Sequence, residues 1–276
     1  MKMKIYVLGS NGMLGRYVFT YFKSIGYDVI GLTRKELDVI NIREEELRAK
    51  FFHMGFQKGD TIINCIGMIK QRKDIDDIQF IYINALFPRV LANVCESEGM
   101  NLIHPTTDCV FDGLKGKYVE TDPHNCIDVY GKSKSLGEPG NATVIRTSII
   151  GDEIGQARSL VEWVKSNKGK TINGYENHIW NGVTCLQFAK ICQFIIDNQI
   201  YWKGVKHIFS PTSFTKYELT RAISDIYELN ITVKPFKTDV MCDRSLSSID
   251  ETGIYVSELV EQIKEMKEYY PTLVVN

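Results

Sequence analysis

Tyr130 and Lys134 stand four residues apart within the stretch Ile127 to Glu138, IDVYGKSKSLGE. On a helix, that spacing lays both side chains on one face, a proton donor beside a cation. A phenol with an ordinary pKa of about 10 is a poor acid-base catalyst at neutral pH, and a nearby ammonium favours the phenolate. An isolated Tyr-x-x-x-Lys is more often two solvated residues on a helix surface. Two other stretches change that reading: Gly9-Ser10-Asn11-Gly12-Met13-Leu14-Gly15, spaced G-x-x-G-x-x-G, and Thr106-Thr107-Asp108.

The glycine turn follows a short apolar run, Met3 to Leu8, which reads as a buried strand, and precedes an amphipathic stretch through Phe22. Strand, glycine turn and helix in that order are the context of a dinucleotide-binding turn, where the backbone approaches a pyrophosphate at a helix N-terminus. Gly9, Asn11, Gly12, Met13, Leu14 and Gly15 are therefore candidate cofactor contacts. Tyr27 to Leu32 reads as a second strand, followed by Thr33-Arg34-Lys35 where an NAD site usually places Asp or Glu. A guanidinium suits a 2′-phosphate, so Arg34 favours NADP (NADPH) over NAD; the plainer reading of Arg34 and Lys35 is solvated loop charge.

Thr61 to Ile66 forms a third strand ending at Gly67, which makes Cys65, Ile66 and Gly67 further cofactor candidates, and Ile78 to Glu98 is a long helix carrying Asn84. Asn101 to His104 reads as a fourth strand with Pro105 just beyond it. Thr106, Thr107 and Asp108 then lie at its carboxyl end, where ligands bind in open parallel sheets, and a threonine hydroxyl there can donate to a substrate oxygen. Gly113 to Cys126 reads as a loop, and Thr143 to Ile150 as a fifth strand. The alternation predicts an α/β fold, a doubly wound (Rossmann) parallel sheet over residues 1–150. Beyond Gly151 the pattern loosens. Helices are predicted over Leu160 to Ser166, Cys185 to Asn198, Lys216 to Leu229 and Val256 to Tyr270, with a strand at Lys206 to Ser210 and an edge strand at Thr232 to Phe236, interrupted by Pro235. Residues 151–276 form the smaller, mainly substrate-binding lobe, interleaved with the first.

A net charge of −1 gives no electrostatic case for nucleic acid or an anionic membrane, so an anionic ligand must be met by local cations. The seven cysteines are odd in number without a C-x-x-C, and the five histidines include no H-x-x-x-H; neither a disulfide framework nor a metal site is expected. Reduced thiols fit a cytoplasmic protein. The apolar run Ile5 to Leu8 is too short for a leader peptide, and no later stretch is expected to span a membrane.

Together these residues resemble the extended short-chain dehydrogenase/reductases that act on nucleotide sugars, most closely the dTDP-4-dehydrorhamnose reductase group. The likeness runs over nearly the whole chain. Its carriers are Gly9-Gly12-Gly15 with Arg16, Leu37-Asp38, Asn84-Ala85 with Pro88-Arg89, Thr107-Asp108-Cys109-Val110-Phe111-Asp112-Gly113, Glu120-Thr121-Asp122-Pro123, Tyr130-Gly131-Lys132-Ser133-Lys134 with Gly137-Glu138, and Arg146-Thr147-Ser148. The resemblance implies Thr107, Tyr130 and Lys134 as the catalytic trio. Tyr130 would deliver a proton to the sugar's C4 oxygen as hydride arrives, Lys134 would lower the Tyr130 pKa and hold the nicotinamide ribose, and Thr107 would orient the carbonyl. It also implies Asp38 and Asn84 at the cofactor. The nucleotide sugar would meet Asp108, Asn181, Thr184 and Tyr217, with Arg244 as a clamp for diphosphate or, equally, a structural ion pair.

Two departures bear on substrate. Cys109 stands where the group commonly has tyrosine, and Ile149 and Ile150 follow Arg146-Thr147-Ser148 where the rhamnose-forming reductases carry an aromatic residue. The sugar pocket is therefore expected to suit another hexose. The leading expectation is reduction of a nucleoside-diphosphate 4-keto-6-deoxy sugar for surface polysaccharide synthesis, with a homodimer as the possible assembly. A nucleotide-sugar epimerase and a non-catalytic NAD(P)-binding regulatory subunit are the alternatives. Dehydration is disfavoured, since the 4,6-dehydratases commonly show Thr-Asp-Glu where this chain has Thr107-Asp108-Cys109.

Overall fold

The computed structural model describes residues 3–69, 76–155 and 158–275. β1 (Ile5–Leu8), α1 (Met13–Ser24), β2 (Val29–Leu32) and β3 (Thr61–Asn64) lie at the stretches expected for them, and α2 (Glu44–His53), where no element was expected, lies between β2 and β3. One helical run follows, made of α3 (Asp77–Phe80), a π-helical turn over Ile81–Leu86, and α4 (Phe87–Glu98). Next come β4 (Asn101–Thr107), a 3-10 turn over Asp108–Val110, α5 (Val129–Leu136) and β5 (Thr143–Thr147). The second half holds β6 (Ile149–Ile150), α6 (Leu160–Lys165), β7 (Thr171–Tyr175), β8 (His178–Trp180), β9 (Val183–Thr184), α7 (Cys185–Asn198) and β10 (Gly204–His207). It ends with β11 (Phe214–Thr215), α8 (Lys216–Ile226), β12 (Thr232–Phe236), β13 (Cys242–Asp243) and α9 (Leu259–Val275).

Six strands pair in the order β10-β5-β4-β3-β1-β2, all parallel. Strand side chains alternate between faces, and both faces are covered. On β1, Tyr6 and Leu8 join Leu47, Phe51, Leu91 and Val94 from α2 and α4, while Ile5 and Val7 join Val18, Phe22, Phe188 and Ile191 from α1 and α7. That is why the strands read as unbroken apolar runs. A third core gathers Trp180, Leu219, Ile223, Ile263 and Met266 around α8 and α9. Because β10 sits beside β5, the second half of the chain supplies part of the main sheet.

Four sequence expectations are corrected. β4 does not stop before Pro105 but runs through it to Thr107: its pairing with β3 ends at Ile103, so from Pro105 onward it has only β5 as a partner, a position that tolerates a missing N–H. The fifth strand does not continue to Ile150. It breaks at Ser148, whose carbonyl accepts from Val183 N at 2.7 Å, and Ile149–Ile150 pair with β9 instead. The strand predicted at Lys206 to Ser210 lies at Gly204–His207. Finally, Asp77–Glu98 is long and apolar enough, by length and composition, to cross a membrane; more than half of its apolar window is buried, as in a helix packed on a core.

Candidate active site

The chain order reverses between β1 and β3, and the carboxyl ends of those two strands form the crevice where open α/β sheets bind ligands. Gly9 closes β1 with φ +76°, and a side chain on it would press on Ile66 Cγ1 at 3.0 Å and the Cys65 carbonyl at 3.2 Å. Gly12 N donates to Gly9 O at 3.0 Å, and Gly12 caps α1 without a side-chain hydrogen bond. At Gly15 a Cβ would meet Gly9 O at 2.2 Å, so the helix can lie against the turn only as glycine. α1 has no acidic residue in its first turn. Its leading N–H groups thus face the crevice uncapped and unopposed, a cradle suited to a pyrophosphate. Asn11 is exposed in this turn, whereas Met13 and Leu14 are half-buried and pack on the third core. Cys65, Ile66 and Gly67 border the other side, with Cys65 N donating to Leu8 O at 2.9 Å. At the end of β2, Arg34 is exposed and reaches Asp38, also exposed, at 3.2 Å.

Asn84, which the resemblance puts at the cofactor, lies inside the protein. It is buried, its Oδ1 accepts from Met68 N at 2.8 Å, and its Nδ2 donates to Met68 O at 3.0 Å and Ser133 Oγ at 3.3 Å. It therefore ties the segment after β3 to α5. The π-helical turn around it follows from Pro88, which has no N–H to offer the carbonyl four residues earlier, that of Asn84. A Cβ on Gly137 would stand 1.7 Å from that carbonyl oxygen, so the end of α5 can close on it only through glycine.

Asp128 starts α5 by accepting from Gly131 N at 2.8 Å, and the helix delivers Tyr130 and Lys134 to the carboxyl end of β4. Lys134 is 8% exposed, and its Nζ donates to Pro105 O at 3.2 Å, the carbonyl beyond the end of β3 pairing. Burial pulls Lys134 down from 10.5 to about 8, with Glu138 acting in the opposite sense. Tyr130 is half-buried, with Phe80 edge-on at 6.4 Å and the Thr107 hydroxyl acting on its phenol. Burial pushes its phenol above the usual range, Cys109 adds to this, and Thr107 opposes it. Lys134, expected to depress Tyr130, is not among these leading influences. Thr107 Oγ1 also donates to Asp108 Oδ1 at 3.1 Å and accepts from Cys109 N at 3.2 Å.

Asp108 is buried, and desolvation raises its pKa against the pull of Arg244, Lys216, Thr107 and the Ser148 hydroxyl. Arg244 does not form a simple surface ion pair. Its Nε donates to Phe111 O at 2.9 Å, Nη2 reaches Asp112 O at 3.5 Å, and Nη1 lies 3.9 Å from Cys109 Sγ. Lys216, which no motif singled out, faces the same group: burial lowers its pKa while Asp108, Cys109 and Cys242 support its charge, and its Nζ lies 4.9 Å from the Trp180 ring centre. The adjacent Tyr217 instead backs onto Gly174, and Arg221 Nη1 lies 3.4 Å from its hydroxyl. Asn181 is engaged with the backbone of Leu246 on both sides of its amide, each at 2.8 Å. Thr184 is fully buried as the N-cap of α7, accepting from Gln187 N at 3.2 Å. In this structure those two residues hold the second lobe together.

Behind α5 lies a buried cation. Arg146, on β5 and 2% exposed, donates to Glu138 at 3.0 and 2.7 Å, to His207 Nε2 at 2.7 Å and to His124 Nε2 at 2.7 Å, over the Phe111 ring. Both imidazoles accept from Arg146 and so stay neutral; burial, reinforced by Arg146, lowers the His207 pKa. A charged residue inside the run TVIRTSII was the sequence signal for this network.

Comparison with known proteins agrees with the fold. The methionine adenosyltransferase 2 subunit beta of Danio rerio is 28% identical over 247 residues, 82% of this chain and 74% of that protein. The dTDP-4-dehydrorhamnose reductase of Mycolicibacterium smegmatis is 29% identical over 159 residues, 54% of this chain and 46% of that one. The crystal structure of a dTDP-4-dehydrorhamnose reductase from Bacillus anthracis in complex with NADP superimposes with a TM-score of 0.81 at 20% identity, covering 97% of this chain and 99% of that one. The family model described as the RmlD substrate binding domain matches residues 3–245, nearly the whole of the sheet and second lobe, and the chain belongs to that family.

Proposed function

We propose that this chain is an NAD(P)H-dependent oxidoreductase that reduces the 4-keto group of a nucleoside-diphosphate 6-deoxy sugar, in sugar-nucleotide synthesis for surface polysaccharide. One observation carries the reading: a phenol under the influence of a threonine hydroxyl, with a buried lysine one helical turn away, stands on the same sheet edge as a glycine cradle. Gly9, Gly12 and Gly15 hold the pyrophosphate through backbone N–H groups, and Arg34 beside the ribose favours NADP, with NAD as the lesser partner. When bound, the reduced nicotinamide supplies the hydride.

Thr107 and Tyr130 orient the sugar carbonyl, and Tyr130 donates its proton to the C4 oxygen. A phenol pushed upward by burial begins the cycle protonated, as a donor must. Lys134, close to its titration point near pH 8, stabilises the phenolate left behind. Lys216 and Arg244 supply the local positive charge for the diphosphate that the chain's overall charge does not. We assign residues 1–150, completed by β10, to the dinucleotide and residues 151–276 mainly to the sugar nucleotide, in a cytoplasmic setting.

The test is loss of reduced-nicotinamide absorbance when the purified protein meets NADPH or NADH with a panel of 4-keto nucleotide sugars. Turnover that disappears in Tyr130→Phe supports the reading; turnover undiminished by that change refutes it. A second reading draws on the relatives named as methionine adenosyltransferase subunits, which align over more of the chain than the reductase from Mycolicibacterium smegmatis does. On that reading the chain binds the dinucleotide and regulates a partner enzyme, and it would show cofactor binding without turnover on any sugar of the panel.

A further inference from the structure

Of the seven thiols, Cys65, Cys95, Cys185 and Cys192 are pushed up by burial alone or by burial first, which makes them poor nucleophiles. The other three, Cys109, Cys126 and Cys242, are half-buried. Arg244 Nη1 lies 3.9 Å from Cys109 Sγ. Burial works against the charge on Arg244, and its neighbours, Cys109 first, outweigh that and raise its pKa. Cys126 feels the same cation, although burial and Asp128 push its thiol up. Lys216 interacts with both Cys109 and Cys242.

The backbone brings the segments that carry these thiols side by side. Cys126 N donates to Val110 O at 3.1 Å, and a Cβ on Gly131 would meet both Cys109 O at 2.4 Å and Cys126 Sγ at 2.9 Å. Asp243 N donates to Gly113 O at 2.7 Å, and a Cβ on Gly113 would stand 2.8 Å from Cys242 Sγ. Of the three, Cys109 also touches the chemistry, since its backbone N–H donates to the Thr107 hydroxyl and it raises the Tyr130 pKa.

We propose that Cys109 is a site of reversible oxidation by peroxides that closes the carbonyl end of the active site. The Cys109 thiolate attacks one oxygen of a hydroperoxide, the O–O bond breaks, and sulfur leaves as the sulfenic acid while the other oxygen departs as hydroxide or alkoxide. A second thiol, Cys126 or Cys242, then attacks the sulfenic sulfur to form a disulfide, and water is released. Either product alters the group beside Thr107 and Tyr130: the sulfenic acid adds an oxygen there, which crowds the place where the carbonyl must meet both hydroxyls. A disulfide draws the Asp108–Val110 turn toward one of its neighbours. The loss of turnover rests on the reductase reading above; the oxidation of Cys109 does not.

Two measurements separate them. The reduced protein is exposed to hydrogen peroxide with and without dimedone, and its peptides are mapped by mass spectrometry. Cys109 is expected to appear as the dimedone adduct, or without dimedone as a disulfide to Cys126 or Cys242, before any other cysteine reacts. Arg244→Gln should slow it by about three- to tenfold, since each tenfold loss of thiolate is partly offset by higher nucleophilicity. If Cys126 or Cys242 is oxidised first, or if Cys109 in a folded Arg244→Gln protein reacts at the wild-type rate, the proposal fails. Turnover should fall in step with Cys109 oxidation and return with dithiothreitol, and peroxide should remove none of the activity that Cys109→Ser retains. Peroxide inactivation of Cys109→Ser at the wild-type rate would also overturn it.

Discussion

Replacing Lys134 by methionine should make the protein more stable and stop it working. The lysine is 8% exposed, its Nζ has one hydrogen bond, to Pro105 O at 3.2 Å, and burial carries it from 10.5 to about 8. That difference amounts to ~3 kcal/mol of penalty on the charged form at pH 7. Methionine fills a similar volume without charge, and forfeits the bond to Pro105, worth about 1 kcal/mol. The net expectation is a gain of about 1 to 2 kcal/mol at pH 7. The sign of its pH dependence follows from linkage. Between the folded value near 8 and the ordinary 10.5 the unfolded chain binds more protons, so wild-type stability rises with pH through this window. The advantage of Lys134→Met should accordingly shrink by about 1 kcal/mol between pH 7 and pH 9. Urea denaturation of both proteins at the two pH values reads this directly, because other titrating groups cancel in the difference. Turnover should fall at least about 100-fold. A variant less stable than wild type at pH 7, or one whose advantage grows toward pH 9, would refute the reasoning.

Tyr130→Phe should lower turnover by at least about 100-fold while NADPH binding, followed by fluorescence titration, stays near wild type. Gly15→Ala should weaken NADPH binding by about tenfold or more in the same titration, because its Cβ would fall 2.2 Å from Gly9 O and force the pyrophosphate turn open. Arg146→Met should cost about 3 to 5 kcal/mol in urea denaturation by stranding Glu138 in the interior, and Glu138→Gln in the same chain should restore part of it. His207 is held below 6.5 by burial and by Arg146, so its contribution is complete above 6.5 and is lost as pH falls; His207→Gln should flatten the decline in urea midpoint between pH 7 and pH 5.

The parallel sheet was legible because its strands are buried on both faces, which leaves runs such as TIIN and IYVL with no charged residue to confuse the reading. The glycine turn was legible for a related reason: a positive φ at Gly9 and a backbone contact at Gly15 leave no other residue type able to stand there. Pro105 misled because proline is a strand breaker only where its missing N–H would face a partner strand. Whether β3 extends that far is a matter of register, which no local pattern contains. The π-helical turn was equally hidden. Pro88 lies well inside an apolar helical stretch, and only the arrival of Gly137 at the released Asn84 carbonyl gives the irregularity a structural use.

At the site, spacing on one element was readable and convergence between elements was not. Tyr130 and Lys134 share a helix, so their common face follows from four residues of separation, yet the strongest influences on Tyr130 after burial come from Cys109 and Thr107 on a different strand end. Lys216 shows the same limit. At the first position of α8 it turns toward Asp108 and Cys109, while its neighbour Tyr217 turns to β7, and sequence reasoning by motif chose the neighbour. Lys134 joins the two levels. The interruption of β3 pairing that lets proline into β4 also leaves Pro105 O facing α5, and the ammonium that takes this carbonyl is the one whose burial brings it near its titration point. The proline that looked like the end of a strand is therefore part of what anchors the lysine, and loosening that anchor should change the pH profile of turnover before it changes the fold.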